Sequence, residues 1–106
     1  MIIKDLLKTI FNVLNSIKEL SENLLIRESF DANDLNNGVY TVNYETNKTQ
    51  MGIGIYNNST ENSIILTING IDIVIPSEKY FTGLFEPFTT VTVSGTSLNF
   101  NAFIVG

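Results

Sequence analysis

Five oxygen-bearing side chains fall within one short segment, Asp31, Asn33, Asp34, Asn36 and Asn37, immediately before Gly38. Hard oxygen donors in a tight loop are what a calcium ion takes. The pattern fails at Leu35, which stands where a D-x-[DN]-x-[DN]-G loop needs its third oxygen, and no Glu follows at the right distance. Asx turns linking one element to the next account for the segment better, and no metal is expected.

Paired carboxylates are the machinery of glycoside hydrolysis, and Glu45, Glu61, Asp72, Glu78 and Glu86 supply the residue type. None has a flanking apolar and aromatic setting that would raise its pKa, and most fall in loops. The chain has no histidine and no cysteine. The usual general base, the serine nucleophile's partner, thiolate metal sites and disulfides are therefore excluded. The expectation is a protein that is not an enzyme and takes no cofactor.

The net charge of −5 is unevenly placed. Residues 1–27 carry a net +1, and residues 28–106 carry eight acids against Lys48 and Lys79, a net −6. So acidic a portion cannot neutralise a phosphate backbone or hold an anionic bilayer, which disfavours nucleic-acid and membrane partners. The opening MIIKDLLKTIFNVLNSIKEL does not read as a signal peptide, because Lys4, Asp5 and Lys8 interrupt any apolar core. It is also too short in apolar run to span a bilayer. The chain is expected to be made as a soluble cytoplasmic product.

What that opening does carry is a heptad stripe. Ile3, Ile10, Ile17 and Leu24 recur every seven residues, with Leu6, Val13 and Leu20 three residues after the first three. Leu7 and Leu14 widen the face, and Lys4, Asp5, Lys8, Lys18, Glu19 and Glu22 fall on outer positions. The spacing predicts a helix over residues 2–26, in an N-terminal element of residues 1–29. Its e and g positions lack the charges that flank a two-stranded seam. Burial among three or more chains, or against a partner, is the reading preferred over packing on the chain's own sheet.

After a linker at residues 30–37, the segment 38–106 reads as short strands and turns. Val39–Tyr44 and Gln50–Tyr56 are two strands, and Ser63–Ile75 is a hairpin turning at Asn69-Gly70, the preferred type I′ pair. A two-residue loop there sets Ile68 opposite Ile71, Leu66 opposite Ile73 and Ile64 opposite Ile75, with Thr67 facing Asp72 on the other side. Pro76 ends the hairpin, residues 77–88 cross over, and Thr89–Ser94 pairs with Leu98–Val105 around Gly95. The expected fold is mainly β with an N-terminal α-helix: a heptad-patterned helix, then a six-stranded or larger antiparallel β-sandwich, jelly-roll-like.

Tyr80, Phe81, Phe85 and Phe88 cluster in the crossover. Such a group docks a partner or stacks on sugar rings when exposed. Closing one end of the core is the reading preferred, above all for Phe88.

The stretch ILTINGIDIVIPSEKYFTGLFEPFTTVTVSGTSLNFNAFIVG resembles the small β-sandwich virion proteins of tailed bacteriophages. The likeness rests on an Asn-Gly hairpin of alternating isoleucines, a Pro-led crossover, a Phe-Glu-Pro-Phe corner and a closing Thr/Val-rich pair of strands. It implies a structural part of a virion, of capsid-decoration, head-fibre or tail and baseplate type. The partners implied are copies of itself, as a trimer or higher, and other virion proteins. Alternatives are a receptor- or carbohydrate-binding module at a tail tip, using Tyr40, Tyr44, Tyr56 or the 80–88 loop, and a bacterial adaptor unrelated to phage.

Overall fold

The computed structural model describes Ile10 and residues 24–106. Over residues 2–23 the expected helix lies outside them except at Ile10, which is helical in conformation. The heptad positions Ile3, Leu6, Val13, Ile17 and Leu20 are therefore outside the described residues as well.

Eight strands follow: β1 (Ile26–Asp31), β2 (Val39–Thr41), β3 (Met51–Asn57), β4 (Ile64–Ile68), β5 (Ile71–Ile75), β6 (Tyr80–Phe85), β7 (Thr90–Ser94) and β8 (Phe100–Val105). They form two four-stranded sheets, ordered β1-β8-β3-β6 and β2-β7-β4-β5, and every pairing is antiparallel. Only β4 and β5 are joined within one sheet; each other connection passes from one sheet to the other.

Period-two alternation decides which residues meet between the sheets. Ile53 and Ile55 of β3, Phe100, Ala102 and Ile104 of β8 and Phe30 of β1 share one buried cluster with Leu66 and Ile68 of β4, Ile75 of β5 and Val91 and Val93 of β7. Each such side chain contributes roughly 1.5–3 kcal/mol on burial. Phe30 stacks on Tyr40 across the two sheets, with ring centres 4.0 Å apart and planes 2° from parallel, and meets Phe100 edge-on at 5.8 Å.

The Asn69-Gly70 hairpin has the expected register, Ile64 opposite Ile75, Leu66 opposite Ile73, Thr67 opposite Asp72 and Ile68 opposite Ile71. Both turn residues have positive φ, 50° and 78°, as a type I′ turn requires. The Thr67 hydroxyl donates to the Asp72 carboxylate at 2.7 Å. Burial fades towards the tip, however, and Ile71 is 53% exposed, because β5 is an edge strand.

Several boundaries differ from the sequence reading. Residues 26–31, expected to end the helix and open the linker, form β1, because Phe30 and Glu28 alternate inward beside Ala102 and Ile104 and the chain pairs along β8. Leu25 extends that pairing through reciprocal 3.0 Å backbone bonds with Gly106, so Leu24 and Leu25 are not helical. Tyr80–Phe85 is not a crossover but β6, paired along β3; Gly83 and nearby Pro87 look like turn formers, yet Gly83 sits in the strand opposite Ile53. The last two strands are not a hairpin. β7 pairs with β2 and β4, while β8 pairs with β1 and β3, so Gly95 lies in a loop between sheets.

Candidate functional site

The densest polar constellation forms where β1 meets β2 and the chain beyond it. Glu28 lies two residues before Phe30, on the same face of β1 and at the rim of the core. Its carboxylate accepts hydrogen bonds from the Tyr40 hydroxyl, from the Asn43 backbone N–H at 3.1 Å and amide at 3.4 Å, and from the Tyr44 N–H at 2.6 Å. Partial burial pushes this carboxyl up, but the bonds from Tyr40, Asn43 and Tyr44 outweigh it and hold the group below its ordinary value. Burial, and then the hydrogen bond and negative charge of Glu28, push the Tyr40 phenol up to about 12. The neighbouring Arg27 guanidinium lies 4.8 Å from the Tyr44 ring centre and donates to the Gly106 carbonyl at 3.0 Å. A carboxylate held ionised by donors that are themselves fixed is suited to joining strands, not to taking up a proton at neutral pH.

Two open clefts flank this region. One, of about 360 Å³, is bordered by Asn43, Tyr44, Glu45, Thr46, Phe88 and Thr89. The other, of about 260 Å³, is bordered mainly by polar groups from Asp31, Asn33, Asn99 and Asn101. Among the described residues no three His, Cys, Asp or Glu side chains come together to hold a metal ion. The Asp/Asn segment is occupied with its own backbone. Asp31 accepts from the Asn33 N–H at 2.8 Å, and Asp34 accepts from the Asp31 N–H at 2.9 Å, a reciprocal cap on the short 3-10 turn Ala32–Asp34. Asn37 and Gly38 then turn the chain with positive φ, and Asn36 and Val39 exchange backbone bonds of 2.8 and 3.0 Å.

The aromatic group of residues 80–88 divides. Phe88 is 5% exposed and belongs to the core, as expected, and Phe85 and Phe81 pack partly buried against it. Their rings run in a chain, Phe81 to Phe85 at 6.3 Å and Phe85 to Phe88 at 6.2 Å. Tyr80 alone is open, at 51% exposure. Tyr40, one of the tyrosines suggested for stacking on sugars, is buried against Phe30. Of the heptad residues, Ile10 and Leu24 come together in a small apolar cluster with Phe103, Val105 and Leu84.

Glu28 is the residue that sequence reasoning passed over. It falls in the expected N-terminal helical element, and nothing in its neighbours announces the Tyr40 and Asn43 donors that the β1-to-β2 connection brings to it. Asn57 is similar: fully buried, its amide donates to the carbonyls of Asn62, Ile75 and Pro76 at 2.8–3.2 Å and its oxygen accepts from the Ser59 N–H. It ties the end of β3 to the end of β5.

No family model matches the chain, and no curated protein matches it. Among the described residues no helix is long and apolar enough to cross a membrane.

Proposed function

We propose that the protein is a non-enzymatic structural component of a bacteriophage particle, held by apolar surface to copies of itself and to neighbouring virion proteins. The observation that carries this reading is the strand order. Sheets ordered β1-β8-β3-β6 and β2-β7-β4-β5, with a crossing at every connection except the β4–β5 hairpin, match the eight-stranded jelly-roll sandwich that builds capsid and lectin domains. The use of polar groups supports it: Glu28, Asp31, Asp34 and Asn57 hold backbone and neighbouring strands together. Ile65, Ile71 and Val74 leave apolar surface on the β4–β5 edge, where burial by a neighbour would be favourable. Mass spectrometry of gradient-purified particles from the genome that carries this gene tests the assignment. Recovery in many copies per particle is expected, and absence from intact particles would overturn it.

A second reading, saccharide binding at a tail tip, draws on the cleft beside Tyr44. There the half-buried Tyr44 borders the cleft with Asn43, Glu45 and Thr89, residue types that suit a sugar's apolar face and hydroxyl rim. Retention on a glycan array, lost on Tyr44→Ala in a protein that still folds, would favour this reading over the first.

A further inference from the structure

The strands at the margins of the two sheets, β1, β6, β2 and β5, are not equally protected. An unpaired strand edge is a template for another chain, and proteins blunt it with bulges, charges, prolines or short length. β1 has a register shift between Ile26 and Glu28 and carries Arg27, Glu28 and Asp31. β2 has three residues, and β6 is half-buried from Phe81 to Phe85. β5 has none of these defences. Its register with β4 is unbroken from Ile71 to Ile75, it contains no lysine or proline, and Ile71 and Val74 are 53% and 62% exposed.

The hairpin turn decides which backbone groups of β5 are free. In such a turn the Ile71 N–H donates to the Ile68 carbonyl, so Ile71, Ile73 and Ile75 direct their backbone groups at β4. Those of Asp72 and Val74 alternate with them and point out of the sheet, where among the described residues no strand stands beside them. Charge is sparse here as well. Asp72 is the only charged residue from Ser63 to Ser77, within a portion of the chain that is otherwise strongly acidic, and its carboxylate accepts from Thr67. A basic partner finds little to pair with on such an edge, whereas a second copy meets an apolar, β-branched strand like its own.

We propose that β5 pairs antiparallel with β5 of a second copy of this chain, about a two-fold axis at Ile73. Asp72 of each copy then lies opposite Val74 of the other, and their outward N–H and C=O groups exchange hydrogen bonds in both directions. The adjoining registers are worse. An axis at Asp72 sets two carboxylates face to face, and an axis at Val74 sets Asp72 opposite Pro76, which has no N–H to give. With the axis at Ile73, Ile71 faces Ile75 of the other copy and gains the cover that its place beside the turn denies it. Two four-stranded sheets become one continuous sheet, and the contact, being isologous, closes at this edge. The pairing goes beyond the virion reading and does not depend on it, since it is read on the purified protein alone.

Sedimentation equilibrium of the full chain, from about 10 µM to about 1 mM as a small interface requires, is expected to show reversible dimerisation. A chain that stays monomeric throughout overturns the proposal. Added salt should strengthen the dimer, because two acidic bodies approach each other; weakening by salt overturns it. Val74→Asp sets carboxylates directly opposite one another twice over and should weaken the dimer about tenfold, while Val74→Lys, which then faces Asp72, should weaken it less. An equal or smaller loss in Val74→Asp overturns the proposal. Because the chain has no cysteine, single substitutions report the register without background. Across the axis the two Ile73 Cα atoms stand about 4.5 Å apart as a non-hydrogen-bonded pair, within reach of a disulfide, whereas the two Ile71 are displaced by about 13 Å along the strands. Ile73→Cys is therefore expected to oxidise to a covalent dimer faster than Ile71→Cys, although Ile71 is the more exposed of the two. Faster linking through Ile71 is the order of random collision, and it overturns the proposal.

Discussion

The two sheets share an inner core but treat their outer faces in opposite ways. On the outside of β1-β8-β3-β6, the central strand β3 is buried from Met51 to Ile55 on both sides, glycines included. On the outside of β2-β7-β4-β5, Ile65 and Val74 pair across β4 and β5 and remain exposed, Val74 at 62%, beside the Thr67–Asp72 hydrogen bond. Around β3 and β8 the outward side of one sheet is thus buried, and along β4 and β5 the outward side of the other is open. Phe103 and Val105 are buried on the first outward side and Ile65 and Val74 are exposed on the second, although the residue types are alike.

A charge placed on each outer face separates the two most sharply. Phe103→Asp would bury an unpaired carboxylate and delete a large ring, which costs well over 3 kcal/mol, a large part of the ~5–15 kcal/mol that stabilises a small domain. Val74→Asp changes a residue already in water and should shift stability by no more than about 0.5 kcal/mol. Thermal melts of the two variants measure the difference directly. Equal melting temperatures would mean that Phe103 is not buried in the folded protein.

The inner core gives the next effect. Phe88→Ala removes a buried ring that meets Phe85 edge-on and should cost about 3–5 kcal/mol. Tyr80→Ala, eight residues earlier in the same aromatic run, should leave the denaturant midpoint nearly where it is, since its ring is half in water. If the Phe88 variant melts like the unaltered protein, the corner is a contact surface and not part of the core.

This contrast also explains how much was legible in the sequence. The β4–β5 hairpin is legible residue by residue because its signals are local: an Asn-Gly turn and strict alternation on each side. The signals of β1 and β6 are not local. Arg27-Glu28-Ser29-Phe30 continues a helix-like stretch in composition, and it becomes a strand only because β8 offers it a ladder. Tyr80–Phe85 contains a glycine and precedes a proline, and it becomes a strand through its pairing with β3. Phe88 is marked as core by its place just before a strand. Glu28 had no such marker, since its donors come from Tyr40, Asn43 and Tyr44, twelve to sixteen residues away. The Thr/Val pair at the end misled for a related reason: a short Gly-containing loop looks like a hairpin turn, but the two strands belong to different sheets.

The hairpin turn itself predicts a smaller loss. Gly70 has φ of 78° and nothing within 4 Å of where a side chain would begin, so space is not the obstacle. Conformation is, and Gly70→Val should cost roughly 1–3 kcal/mol. The effect should stay in the β2-β7-β4-β5 sheet, with faster amide exchange along β4 and β5 and little change along β3 and β8. Equal loosening of both sheets would contradict the division between them.

The smallest effect is a pH dependence located where the sheets are tied together. Glu28 has its pKa lowered in the folded protein, so the unfolded chain holds that proton more tightly. The stability it contributes is therefore present above the unfolded carboxylate value and is lost as pH falls through the lower folded value. Tyr40 has the opposite sign: its phenol is raised to about 12, so its contribution is intact below the unfolded value near 10 and is lost as pH climbs through 12. The Glu28–Tyr40 bond should thus weaken the protein at both ends of the scale and leave it unaffected between them. Glu28→Gln keeps the shape and removes the charge, so the acid decline should become shallower in denaturant melts taken from pH 6 down to pH 3. Tyr40→Phe should flatten the alkaline limb while leaving the ring stacked on Phe30. Should the acid limb keep its full slope in Glu28→Gln, other carboxylates set it, and the tie between β1 and the chain after β2 owes its strength to the buried rings of Phe30 and Tyr40 instead of to the carboxylate.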